Sequence, residues 1–249
     1  MNWAGKRYWL VGASEGLGLA LAQEMSRAGA DLVLSARSAA RLQDACATLP
    51  GPALAVAMDV ADAASVAAAV ARVGEVDGLV FLAGVYWPMA AQKLDAEHLV
   101  AMCDVNFTGC ARVIGAVLPG MVARGAGHVV ITGSLSGFRG LPGAVGYSAS
   151  KAGVMALAES LHADLRGSGV RVQLANPGFI NTRLTEKNDF SMPFMMQPDA
   201  AAAAVFAHMN SGRFKVSFPT VFSWVFRLSQ FLPDWAYYRL FAPISARKP

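Results

Sequence analysis

Short apolar runs alternate along the chain with longer stretches whose apolar positions recur every three to four residues. Runs such as "DLVLSA" and "GLVFLA" carry almost no polar alternation, the pattern of strands buried on both faces of a parallel sheet. The pattern predicts strands over 7–11, 31–36, 53–58, 78–82, 128–132, 170–175 and 214–218. It predicts helices over 16–28, 39–48, 63–73, 98–124, 147–166 and 198–210. Strand–helix alternation with Pro and Gly at the joints, as in "LPGP" and "NPG", implies βαβ units. The expected fold class is α/β, a doubly wound parallel sheet of about seven strands. No linker divides it, so one domain is expected over residues 1–218, followed by a hydrophobic, aromatic extension over 219–249.

Composition narrows the function. Of 249 residues, 55% are hydrophobic and 15% charged, yet no uninterrupted apolar run reaches the length of a membrane span. The first residues, "MNWAGKRYWLVGAS", lack the apolar core and cleavage site of a secretory signal, so a cytoplasmic protein is expected. Cys46, Cys103 and Cys110 are unpatterned, and His98, His128, His162 and His208 show no ligand spacing. Neither a disulfide framework nor a metal site is therefore expected. The net charge of +4 comes without a basic run, which argues against nucleic acid as a partner. A serine hydrolase is not expected.

After the first predicted strand, "VGASEGLGLALAQEM" places Gly12, Gly16 and Gly18 where a tight turn opens a helix. Backbone N–H groups at that helix start suit a pyrophosphate, and absent side chains let it approach. At the end of the second strand, Ala36 stands where an NAD-selecting acid is expected, and Arg37 follows with Ser38. A guanidinium there can pair with the 2′-phosphate of NADP, or Arg37 can be an ordinary surface residue. Glu15, a carboxylate in the phosphate loop, weighs against an additional phosphate. On balance NADP(H) is favoured, with NAD(H) as the alternative.

Tyr147 and Lys151 in "YSASK" lie one helical turn apart and so share a face. They are an idle surface pair, or a proton donor and the cation that tunes it. The wider pattern resembles the short-chain dehydrogenase/reductase family over residues 6–182, and more weakly to 218. "GASEGLG", which contains Ser14 and Leu17, resembles the family's cofactor loop. "MDV" resembles its adenine-contacting segment, with Asp59 and Val60, although Asp59 also reads as a helix cap. "LAGV", with Ala83 and Gly84, resembles an N-N-A-G stretch in which Phe81 and Leu82 replace both asparagines. "VNFTG" supplies Asn106. "ITGSLSG" supplies Ser134, thirteen residues before Tyr147, with Ser136 as its nearest rival. "NPGFINT" supplies Pro177, Gly178, Ile180 and Thr182.

The resemblance implies a Rossmann-like fold and an NAD(P)-dependent oxidoreductase that moves a hydride between a nicotinamide and a carbonyl or alcohol. Tyr147 would be the general acid or base and Ser134 the hydrogen-bond donor to the reacting oxygen. Lys151 would lower the tyrosine pKa and bind the nicotinamide ribose. Asn106 would support a proton path, and the segment from Pro177 to Thr182 would hold the carboxamide. The family also implies a homodimer or homotetramer. The alternative is a non-catalytic dinucleotide-binding sensor or scaffold.

Residues 183–197 follow the cofactor segment and read as a substrate lid. Phe190, Met192, Phe194, Met195 and Met196 suit either a hydrophobic small-molecule substrate or packing against the next helix. In the tail, Phe218, Val221, Phe222, Val225, Phe226 and Ser229 fall on helical spacing, which predicts a helix over 220–232 ended by Pro233. Trp235, Tyr237 and Tyr238 follow, with Arg239, Arg247 and Lys248. Aromatic residues mixed with cations suit a peripheral membrane contact, an oligomer interface or packing at the substrate pocket, or plain core. The tail has a compositional resemblance to lipid-type reductases such as 3-ketosphinganine reductases.

Overall fold

The computed structural model describes residues 2–187 and 192–241. Seven parallel strands form one sheet in the order β3-β2-β1-β4-β5-β6-β7. They are β1 (Arg7–Val11), β2 (Asp31–Ala36), β3 (Ala53–Ala57), β4 (Gly78–Phe81), β5 (Gly127–Thr132), β6 (Val170–Pro177) and β7 (Lys215–Phe218). Helices α1 (Gly16–Arg27), α2 (Ala39–Ala47), α3 (Ala63–Val73), α4 (Ala96–Cys103), α5 (Gly109–Arg124), α6 (Val145–Asp164) and α7 (Pro198–Met209) connect them. Two further helices, α8 (Thr220–Ser229) and α9 (Asp234–Phe241), complete the chain. The doubly wound α/β expectation holds.

The strands are apolar on both faces because both faces are covered. In β1, Trp9 and Val11 enter one core, with α3, α5 and α6, while Tyr8 and Leu10 enter the other, with α1 and α7. β1 pairs with both β2 and β4. Successive connections therefore wind away from it in opposite directions, leaving a crevice at the carboxyl ends of β1 and β4.

Several predicted boundaries move, each for a local reason. β6 runs to Pro177 because Asn176 and Pro177 pair with Ser217 and Phe218. The predicted helix 98–124 starts earlier, at Ala96, where the Asp95 carboxylate caps it by accepting from the His98 N–H at 3.0 Å. It is also interrupted by a π-helical turn over Asp104–Thr108. By length and composition, Ala96–Arg124 would suffice to cross a membrane. Here Cys110, Val113, Ile114 and Met121 of this stretch pack in the core. The predicted helix 220–232 ends at Ser229. Pro233, read as a stop, also opens α9: its carbonyl accepts from the N–H groups of Ala236 and Tyr237. Phe190 lies outside the described residues.

Candidate active site

The crevice widens into a cavity of about 1780 Å³. Every candidate site residue from the sequence lines it except Asn106. At one end sits the glycine loop. Gly12 has a left-handed φ of 92°, and a Cβ there would lie 2.5 Å from the Ala83 nitrogen. A Cβ on Gly18 would lie 2.1 Å from the Gly12 carbonyl oxygen. Only glycine permits this turn. No side chain caps the first turn of α1, so its N–H groups and the positive end of the helix dipole face the cavity.

The ends of β2 and β3 supply the next wall. Arg37 is exposed at the rim, and Arg41 lines the cavity one helical turn further along. Ser38 caps α2 by accepting from the Arg41 N–H at 3.3 Å. Glu15 is held between two guanidinium groups, Arg41 at 3.4 Å and Arg183 at 3.0 Å. Its charge, which weighed against a phosphate in the sequence, is thus offset locally. Asp59 makes an Asx turn, accepting from the Ala61 N–H at 3.0 Å. The cap of the following helix is Asp62 instead.

Ser134, Tyr147 and Lys151 meet near the middle of the cavity. The Ser134 hydroxyl oxygen accepts from the Ser136 N–H at 3.2 Å and from the Ser136 hydroxyl at 2.9 Å. Its own proton is left to donate. Tyr147 lies edge-on to Tyr86, with centroids 4.9 Å apart. Lys151 Nζ donates to the Thr132 carbonyl at 2.9 Å and sits 5.8 Å from the Tyr147 ring centroid. Burial pushes the Tyr147 phenol up to about 12; a Ser134 hydrogen bond opposes this, and Tyr86 adds to it. Burial pushes Lys151 down to about 8, with Cys110 acting in the opposite sense. With the chain's own groups alone, burial raises the phenol, and the ammonium beside it donates to a carbonyl.

Asn106 is fully buried behind the cavity, in the π-helical turn. Its amide accepts from the Val85 N–H at 2.7 Å and donates to the Val85 carbonyl and to Ser150 Oγ, both at 3.0 Å. It thereby fixes the loop after β4, where Gly84 lies beside the Asn106 oxygen and the Lys151 ammonium.

The remaining wall is apolar. Tyr86, Met89, Leu184, Phe222, Phe226 and Phe241 line it. Within the expected lid, residues 183–187 line the cavity but Met192, Phe194, Met195 and Met196 do not. Half of this apolar lining comes from the C-terminal helices, for which packing at the substrate pocket was one of the expected roles. Ser136, Arg41 and Arg183 were not singled out as site residues. Of these, the sequence names Ser136 only as the rival of Ser134, and the two arginines carry no local sign.

The short chain dehydrogenase family profile matches residues 6–191. An uncharacterized oxidoreductase of Myxococcus xanthus is 38% identical over 235 residues, which are 90% of this chain and 92% of that one. A short-chain dehydrogenase structure from Streptomyces avermitilis superposes with a TM-score of 0.82 at 26% identity, covering 97% of this chain and 98% of its own. A metagenomic short-chain oxidoreductase solved in complex with NADP superposes at 0.74 with 28% identity, over 87% and 96% of the two chains.

Proposed function

The chain belongs to the short-chain dehydrogenase family, and on that premise we propose that it reduces hydrophobic carbonyl compounds with NADPH through Ser134, Tyr147 and Lys151. As a member it is an NAD(P)-dependent oxidoreductase; the coenzyme preference, the substrate class and the side-chain roles are our reading. One observation carries it: those three side chains line the same cavity as the glycine loop and the aromatic wall.

The cradle suits a dinucleotide. Gly12, Ser14, Gly16, Leu17 and Gly18 offer backbone at the α1 terminus for a pyrophosphate. Arg37, Ser38 and Arg41 offer donors for a 2′-phosphate, consistent with the NADP-bound neighbour. Asp59 and Val60 border the adenine end. Ala83 and Gly84, with Pro177, Gly178, Ile180 and Thr182, border the nicotinamide end. When bound, the nicotinamide supplies the hydride in reduction and accepts it in oxidation.

At neutral pH the raised phenol of Tyr147 holds its proton, which is the form that reduction needs. Tyr147 donates that proton to the carbonyl oxygen as the carbon is reduced. Ser134, its oxygen occupied by Ser136, donates a second hydrogen bond to the same oxygen and stabilises the developing charge. Lys151 holds positive charge beneath them, and Asn106 acts from behind by fixing Gly84 and Val85.

The test is oxidation of NADPH and NADH by the purified enzyme against aliphatic carbonyls of increasing chain length. NADPH should be preferred, and kcat/KM should rise with chain length. Tyr147→Phe should lose about 10²–10⁴-fold in kcat while binding NADPH within about twofold of the parent. An NADH preference would refute the roles of Arg37 and Arg41. A flat chain-length profile would refute the apolar wall, and parental turnover by the phenylalanine variant would refute the mechanism.

A further inference from the structure

The helix pair α8–α9 is apolar on two sides. Its inner side is accounted for: Phe226, Tyr237 and Phe241 are buried, and Phe222, Phe226 and Phe241 line the cavity. Its outer side is not. On α8, Val221, Trp224, Val225 and Leu228 are exposed at spacings i, i+3, i+4 and i+7, a second apolar stripe facing water. Phe231, Leu232, Trp235, Tyr238 and Leu240 are exposed as well, with Phe231 85% and Trp235 73% exposed. The surface extends towards the cavity, because exposed Phe194 stacks on the wall residue Phe222 at 5.5 Å. This many exposed apolar side chains on one helix pair mark an interaction site.

We propose that the outer face of α8–α9 docks on an anionic lipid bilayer. The charges favour this occupant over a second copy of the chain. Between Thr220 and Phe241 the charged residues are Arg227, Asp234 and Arg239. Asp234 is engaged by Arg139, while Arg227 and Arg239 are exposed at the edge of the stripes. A two-fold pairing of this face with itself brings like charges together; an anionic headgroup layer neutralises them. Arg227 lies over the Trp224 ring at 4.2 Å, an amphipathic pairing that places its apolar body below the headgroups and its cation among them. α8–α9 then has one face in lipid and the other against the substrate cavity.

The test is flotation of the full-length protein with vesicles of phosphatidylcholine alone and with phosphatidylglycerol added, beside sedimentation velocity without lipid. The protein should float with anionic vesicles, at least fivefold less with neutral ones, and less as salt rises. Phe231→Glu combined with Trp235→Glu should reduce flotation by a similar factor, leaving the parental sedimentation coefficient and turnover of a short, water-soluble carbonyl. Absence of flotation with anionic vesicles, or unchanged flotation by the double variant, overturns the proposal. So does loss of a dimer in the double variant without vesicle binding by the parent, which would make the face an interface between copies. Because the readout is binding without coenzyme, its failure leaves the hydride-transfer reading standing.

Discussion

At the scale of single residues, the site holds two groups away from their ordinary ionisation for one reason, exclusion of water. Lys151 illustrates the cost. Its folded pKa of about 8 lies below the ordinary 10.5. Below pH 8 both folded and unfolded chains carry the ammonium, and the folded chain bears the full penalty of burying it. Between pH 8 and 10.5 the folded lysine is neutral while the unfolded one remains charged, so stability rises with pH across that window. Lys151→Met removes this dependence. Relative to the parent, the variant should be more stable at pH 7 than at pH 10, by a difference of roughly 2–3 kcal/mol. Denaturant unfolding at the two pH values measures it, and an equal effect at both would contradict a buried ammonium. The same variant should be inactive, because the proposed chemistry needs the ammonium.

At the scale of elements, one arginine fastens the C-terminal helices to the loop that carries Ser134. Arg139 donates to the carbonyls of Ser229 and Leu232, both at 2.8 Å, and pairs with Asp234. Its guanidinium lies 3.9 Å from the centroid of the Tyr237 ring, and the Tyr237 hydroxyl donates to the Gly140 carbonyl at 2.8 Å. The carbonyls at the end of α8 thus receive a cation, as the helix dipole favours. This clamp sets where Phe222, Phe226 and Phe241 stand. Arg139→Ala should therefore raise KM for long apolar carbonyls about tenfold, an effect of about 1.4 kcal/mol. kcat for short carbonyls and the NADPH dissociation constant should stay within about twofold, with Arg139→Lys intermediate because it keeps the charge without the fork. A uniform loss across substrates would mean that the helices serve the fold and not the pocket.

At the scale of the whole molecule, the two ends of the sheet divide the work. Chemistry collects at the carboxyl ends of the strands. At the opposite end a buried polar network ties β1, β5 and β6 together: the Tyr8 hydroxyl meets His128 Nδ1 at 2.9 Å, and His128 Nε2 meets Gln173 Oε1 at 2.8 Å. Burial and the nearby Arg171 push His128 down to about 3, and burial also lowers His208. As pH falls from 6.5 towards 3, the unfolded chain gains protons that these folded histidines refuse, and stability is lost. His128→Gln should lower Tm at pH 7 through the broken network. It should also lose less further stability than the parent between pH 7 and 5, with kcat unchanged. Thermal melts across that range decide it, and parallel loss in both proteins would contradict a neutral, buried His128.

Apolar periodicity in the sequence determined the seven strands and the doubly wound order of elements, because strands covered on both faces must be apolar throughout. The glycine spacing and the ordered "YSASK" and "ITGSLSG" stretches likewise pointed to residues that line one cavity, since a tight turn and a one-turn pair are local constraints. Tertiary structure alone decided the direction of the Tyr147 shift, the two arginines around Glu15, the buried post of Asn106 and the aromatic wall from α8 and α9. Each of these depends on residues far apart in sequence meeting where water is excluded. Desolvation, charge compensation and surface exposure are properties of that meeting, and no local pattern encodes them.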